Sequence, residues 1–160
     1  MGWLGGLIRF LKNSFFTQYR SGGTTGNMPS PRVPIKWTDI IWDGAQLHIT
    51  LLPNVQKNTV QNTNSMEALL DANHIVILSN NQVYKDTLKL GSIVVWVSTP
   101  SNIIHSIVEI GTDEQGWYCY TQGVNINSRD KVMIRKVNIE WVALMVIWAD
   151  TGTFVLPLED

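Results

Sequence analysis

Residues 61–78 read QNTNSMEALLDANHIVIL. Three kinds of composition follow one another there. Gln61 to Asn64 is polar and asparagine-rich, which favours a loop. Ser65 to Asp71 brings Met66, Leu69 and Leu70 to spacings of three and four, enough for a short helical turn with an inward apolar side. His74 to Leu78 then passes through Ile75, Val76, Ile77 and Leu78, a short apolar run rich in β-branched residues and best read as a strand. Loop, turn and buried strand in such quick succession point to a β-rich body rather than a helical one.

The flanking sequence repeats this pattern. Trp37 to Asp43 carries Ile40, Ile41 and Trp42 and ends on the turn signal Asp43-Gly44. Gln46 to Val55 alternates, with Leu47, Ile49 and Leu51 on one side and His48 and Thr50 on the other. That predicts a half-buried strand with His48 toward solvent. Lys57 to Asn64 is polar and predicts a loop. Downstream, Ser92 to Val97 (SIVVWV) is short and nearly all apolar, as a buried strand would be. Thr99 to Asn102 turns the chain, and Ile103 to Ile110 forms a strand carrying His105. Thr112 to Gly116 makes a hairpin turn, and Trp117 to Thr121 pairs back. Gly123 to Asp130 is a polar loop. Val132–Val137 and Val142–Trp148 close the series. Short strands at regular spacing with little helix predict a mainly β fold, a coiled sheet or barrel.

The chain has 160 residues, 44% of them hydrophobic and 16% charged, the balance of a globular protein. That length suits one domain with an attached tail. The net charge of −1 is unevenly placed. Arg9, Lys12, Arg20, Arg32 and Lys36 all precede the first acidic residue, Asp39. A basic arm on an acidic body suits an anionic surface or another protein. Residues 1–34 are read as that arm and its linker, and residues 35–160 as the β-rich domain. Within the arm, Trp3, Leu4, Leu7, Ile8, Leu11 and Phe15 form a helical stripe, weakened by Gly2, Gly5 and Gly6. Arg9 and Lys12 interrupt the apolar run before it reaches the ~20 residues of a membrane-spanning helix. The arm also lacks the basic leader and small-residue cleavage site of a secretory signal. An extended or helical arm that docks on an assembly partner or lies on a membrane surface is expected.

Several chemistries are not expected. The single Cys119 excludes an internal disulfide and a cysteine-based metal site. Its place in the strand-like Trp117–Tyr120 makes it a small core residue. The three histidines (His48, His74, His105) are scattered, and no glycine-rich phosphate loop or dinucleotide fingerprint is present. No cofactor and no metal are therefore expected. The body has no basic stripe, so nucleic acid is not an expected partner.

A serine hydroxyl becomes a good nucleophile only when a neighbour takes its proton. Ser65 opens its turn, where its backbone N–H can face a developing oxyanion. His105 lies among Ile103, Ile104, Ile107 and Val108, and a histidine in such surroundings needs a partner or a task. The residues alone leave two readings open: a structural, hydrogen-bonded histidine, or a base for Ser65.

Five segments, in order, resemble the serine peptidase superfamily of signal peptidases and self-cleaving repressors. NSMEALL (64–70) resembles the nucleophile box, serine-methionine-x-proline-threonine-leucine. NHIVIL (73–78) resembles the glycine-aspartate-x-valine strand that follows it. GSIVVW (91–96) resembles the second glycine-aspartate strand. IIHSIVEI (103–110) resembles the histidine-arginine strand of the archaeal and eukaryotic-type enzymes. GWYCYTQGVNINSRD (116–130) resembles the run with glycine-aspartate-asparagine-asparagine and a later aspartate. The resemblance covers about residues 62–148. It implies a signal-peptidase-type fold with Ser65 as nucleophile, His105 as general base and Asp130 supporting the base. It also implies a peptide or protein substrate held extended beside a strand, for which Gln46–Val55 is the expected edge. The chain departs from the family at Ala68, Asn73, His74, Ser92, Ser106 and Val124. Beside the peptidase stand two other expectations. One is a non-catalytic descendant used as a structural module, as in a virus particle or secretion apparatus. The other is a β-barrel binding module.

Overall fold

The computed structural model describes residues 28–148. The expected arm helix over residues 3–15, and the docking and membrane roles attached to it, lie outside the described residues. Those residues form nine strands: β1 (Ile40–Trp42), β2 (Leu47–Ile49), β3 (Val55–Thr59), β4 (Ile75–Ser79), β5 (Ile93–Trp96), β6 (Ile103–Asp113), β7 (Gly116–Gln122), β8 (Ile134–Arg135) and β9 (Ile139–Ile147). One short helix, α1 (Gln82–Asp86), joins β4 to β5. β1 and β2 pair as a separate hairpin. The other seven strands make one antiparallel sheet in the order β3-β4-β9-β5-β6-β7-β8, which curls into a half-barrel. The fold is mainly β with a coiled sheet, as the strand pattern predicts. Among the described residues no helix is long and apolar enough to cross a membrane.

The apolar runs are continuous because the middle of the sheet is covered on both faces. Alternate side chains go to opposite faces. Val94 and Trp96 of β5 join Ile107, Cys119, Val142 and Leu144 in one cluster. Ile93 and Val95 join Val76, Leu78 and Ala143 in the other. Tyr84 of α1 is buried in the first cluster. Met66 and Leu70 are buried in the second. Burying two such side chains contributes roughly 1.5–3 kcal/mol each. The turn that begins at Ser65 is thus held on the sheet by its own hydrophobic residues.

Three local expectations are corrected. The predicted strand Gln46–Val55 is interrupted after β2, because Pro53 has no N–H to give a ladder and Asn54 takes a left-handed φ of 67°. Lys57 to Thr59, at the start of the expected loop Lys57–Asn64, belong to strand β3 instead; they lie on the sheet edge, where ladder bonds to β4 are made on one side only. Strand Val132–Val137 shrinks to β8, followed by a 3-10 turn at Lys136–Asn138. Helix α1 was not anticipated; its start is capped by the Asn81 side chain, which accepts from the Val83 N–H at 2.9 Å. The backbone N–H of Arg32 donates to the Gly91 carbonyl at 2.9 Å, so the chain already touches the sheet there. Gly91 has a φ of +86°, and a side chain there would collide with the Ser30 carbonyl.

Candidate active site

β6 pairs with β5 along its first half and with β7 along its second. The register with β7 ends at Ser106↔Gln122. Ile103, Ile104 and His105 therefore have β5 on one side and no strand on the other among the described residues. His105 sits where the two strands part, and is only 5% exposed. Its Nδ1 lies 2.8 Å from Oδ2 of Asp130. The same oxygen accepts the Thr121 hydroxyl at 2.5 Å, and the Asp130 N–H donates to the Thr121 carbonyl at 2.7 Å. A carboxylate can only accept, so Nδ1 is the donor in this bond. In the neutral form of such a ring Nε2 carries the lone pair. Nε2 forms no hydrogen bond among the described residues. The only fully enclosed side-chain nitrogen or oxygen without a partner there is Trp96 Nε1, so Nε2 is not sealed off.

Asp130 reaches this position because its loop is pinned along its length. Arg129 stacks on the Tyr120 ring, 3.6 Å from its centre, and pairs with Glu109 at 2.8 Å. The Gln122 side chain donates to the Ile126 carbonyl at 2.5 Å.

The turn at Ser65 is clasped from the same loop. The Asn125 N–H donates to the Ser65 carbonyl at 2.9 Å, and the Asn125 side-chain amide donates to the Asn64 carbonyl at 3.1 Å. Asn64 adopts a φ of 57°, a conformation asparagine tolerates better than most residues. Gly123 follows the last β7 residue and faces both sides of the site. A Cβ there would collide with the Ser65 carbonyl oxygen and stand 2.9 Å from both His105 Nε2 and Ile126 Cδ1. Glycine is what lets the turn and the imidazole come together. The Ser65 hydroxyl shares a 3.4 Å hydrogen bond with Thr63 and makes none with His105.

Ser65 and His105 open on one cleft of about 490 Å³. Its floor is apolar and includes Val76, Leu78, Val95 and Trp141, while Asn58, Gln61, Ser101 and Asn102 stand on its exposed rim. One wall comes from the end of β3 and the residues after it, the other from the unpaired start of β6. The strand edge beside Ser65 is thus β3, not the Gln46–Val55 segment expected from sequence.

The three candidate residues therefore converge: Asp130 on His105 by a hydrogen bond, and Ser65 beside His105 in the shared cleft. Val124, which stands where the resembled family has an aspartate, packs against the cluster of Met66 and Leu70. Among the described residues, the carboxylate at His105 is supplied by Asp130 alone. His48 is exposed and pairs with Asp43 at 2.7 Å. His74 accepts the Asp71 N–H through Nδ1 at 2.9 Å, closing the turn before β4. Cys119 is buried, and desolvation pushes its thiol up to about 12, so it is not poised as a thiolate nucleophile. Sequence reading did not single out Thr121, Gly123 or Asn125. Their roles rest on contacts between distant segments, and only the loop composition of 123–130 hinted at them. No family model, no curated protein and no solved structure matches the chain.

Proposed function

We propose that this chain is a serine endopeptidase of signal-peptidase type that cleaves an extended peptide. The observation that carries this reading is the convergence of Ser65 and the His105–Asp130 pair on one cleft at Gly123. In this reading His105 Nε2 takes the proton of the Ser65 hydroxyl as Oγ attacks the scissile carbonyl. Asp130 holds the ring in the required tautomer and stabilises the imidazolium that forms. The Ser65 N–H makes no hydrogen bond among the described residues and serves the developing oxyanion. The proton passes to the leaving amine, and water then hydrolyses the acyl-enzyme with His105 again as base. The 3.4 Å bond to Thr63 is a resting contact, since catalytic hydrogen bonds tighten when substrate is bound. An extended substrate would pair with the open edges of β3 and of β6 at Ile103–His105.

The test is cleavage of a mixed peptide library by the wild type, Ser65→Ala and His105→Ala. Both variants should lose activity by at least about a hundredfold. Cleavage by Ser65→Ala at the wild-type rate would remove Ser65 from the mechanism.

A second reading is a structural module of a larger assembly, built on the same fold without catalysis. It is favoured by the β1–β2 hairpin and the 3-10 turn that precedes it (Trp37–Asp39), where Trp42 is 64% and Trp37 86% exposed, an apolar surface of the kind that marks interaction sites. It predicts that Trp42→Ser changes the sedimentation of the full chain with its assembly partners while Ser65→Ala does not.

A further inference from the structure

We propose that the groove between residues 31–36 and the end of α1 binds a small phosphate monoester with an apolar body. This site is separate from the peptidase reading: the groove shares no lining residue with the Ser65 cleft. One wall is Pro31 to Lys36, where the two prolines keep the chain extended. The bridge between Arg32 and Ser92 fixes that wall to the sheet. The other wall is Thr87 to Lys89, directly after α1, and the buried residues Tyr84 and Ser92 line the floor.

This groove offers hydrogen-bond donors and positive charge. Arg32, Lys36 and Lys89 line it, and no aspartate or glutamate does. Among the described residues none of the three forms an ion pair. The carboxylates that flank it in the chain are engaged: Asp39 accepts the Lys36 N–H at 2.9 Å, and Asp86 pairs with Lys136 at 3.0 Å. Beneath the cations lie two hydroxyls. Ser92, 6% exposed, accepts the Lys89 N–H at 3.0 Å, and Tyr84, 7% exposed, accepts the Leu52 N–H at 3.0 Å. A hydroxyl also carries one hydrogen to donate, and among the described residues neither of these finds an acceptor. A phosphate monoester brings about two negative charges at pH 7 and three acceptor oxygens. A carboxylate brings one charge and two oxygens, fewer than three cations and two hydroxyls can use. Arginine meets phosphate with its planar fork and lysine as a point charge. Ile35 and Leu88, packed on the first core cluster, give the organic body an apolar surface. The volume of about 460 Å³ suits a small molecule. A free ester can enter a groove walled on both sides, whereas a bilayer surface cannot.

The experiment titrates the isotope-labelled full chain with phenyl phosphate, inorganic phosphate, benzoate and benzyl alcohol, and follows the backbone amide resonances. Phenyl phosphate should saturate, shift amides within residues 32–36 and 87–92, and bind at least about tenfold tighter than each of the other three. Arg32→Gln and Lys89→Gln should each weaken it about tenfold. Lys131→Gln, which removes an exposed charge outside the groove, should leave it unchanged. Equal binding of benzoate or inorganic phosphate overturns the proposal. So does a loss in Lys131→Gln as large as in Lys89→Gln, which would assign the binding to overall charge. Failure of phenyl phosphate to saturate, with or without capture of the chain by phosphatidate vesicles, overturns it as well.

Discussion

A methyl group at position 123 would meet a backbone oxygen, that of Ser65, and also press on His105 and Ile126. The ring and the Ile126 side chain have some room to yield; the carbonyl is fixed by its bond from Asn125. Gly123→Ala is therefore expected to push the Ser65 turn away from the imidazole. Overpacking of this kind costs about 1–3 kcal/mol, read by urea unfolding, and peptide cleavage should fall at least tenfold. Wild-type cleavage in that variant would show that the close approach is dispensable. Thr121 offers a second, independent check. Its buried hydroxyl donates to the oxygen of Asp130 that also receives His105. Thr121→Val keeps the shape and removes the donor, so a loss of about 1.5–3 kcal/mol is expected in the same unfolding measurement. Thr121→Ser should restore most of it. Ser65 and His105 stand out in the sequence as a possible nucleophile and base because their side chains carry chemistry of their own, while Asp130 is pointed to only by the family resemblance. Gly123 and Asn125 do not stand out, because what matters about them is the segment that folds against them, some 60 residues earlier in the chain.

The hairpin of β6 and β7 and the short β8 hold the far end of the sheet, and a charge cluster ties them. Arg135 donates to Asp113 at 2.8 and 2.6 Å and to the Gly116 carbonyl at 2.9 Å. The Arg135 hydrogen bond holds the Asp113 carboxyl below its ordinary value of 3.8. A group depressed in the folded state stabilises fully above its unfolded value and loses that stabilisation as pH falls through the folded one. Asp113→Asn should thus be less stable than the wild type at neutral pH, with the gap closing as pH drops below 3.8. Thermal unfolding followed across that range is the measurement, and a gap constant with pH would assign the effect to shape instead of charge. Strands β4, β5, β6, β7 and β9 were legible because each contains an apolar run that must be buried. β3 and α1 were not. Gln56 to Thr59 is strand only because β4 offers it a ladder, and α1 is five residues with one buried side chain, Tyr84. In both, tertiary contact outweighs local propensity.

At the scale of the whole molecule, the curled sheet ends on two strands that each have one free side, β3 and β8. Only β3 faces the cleft, across from the unpaired start of β6. Unpaired strand edges are ready templates for another chain, and here the two that share a cleft flank Ser65. A peptide strand in that gap would bond to both edges. In an antiparallel pair, alternate residues direct their N–H groups to opposite sides, so on β3 only those turned away from β4 are available. Ser65→Ala allows the complex to persist without turnover. Saturating it with a peptide it binds should slow hydrogen exchange at alternate amides of residues 55–61, and at Ile103 to His105, by about tenfold or more. The amides of β8, equally at an edge but outside the cleft, should exchange as before. Protection confined to side-chain-lined positions such as Trp141, with β3 unchanged, would mean that the peptide is held by its side chains alone. Equal protection of β3 and β8 would mean general stabilisation of the sheet. Only protection confined to the two cleft edges supports a substrate bound as an added strand.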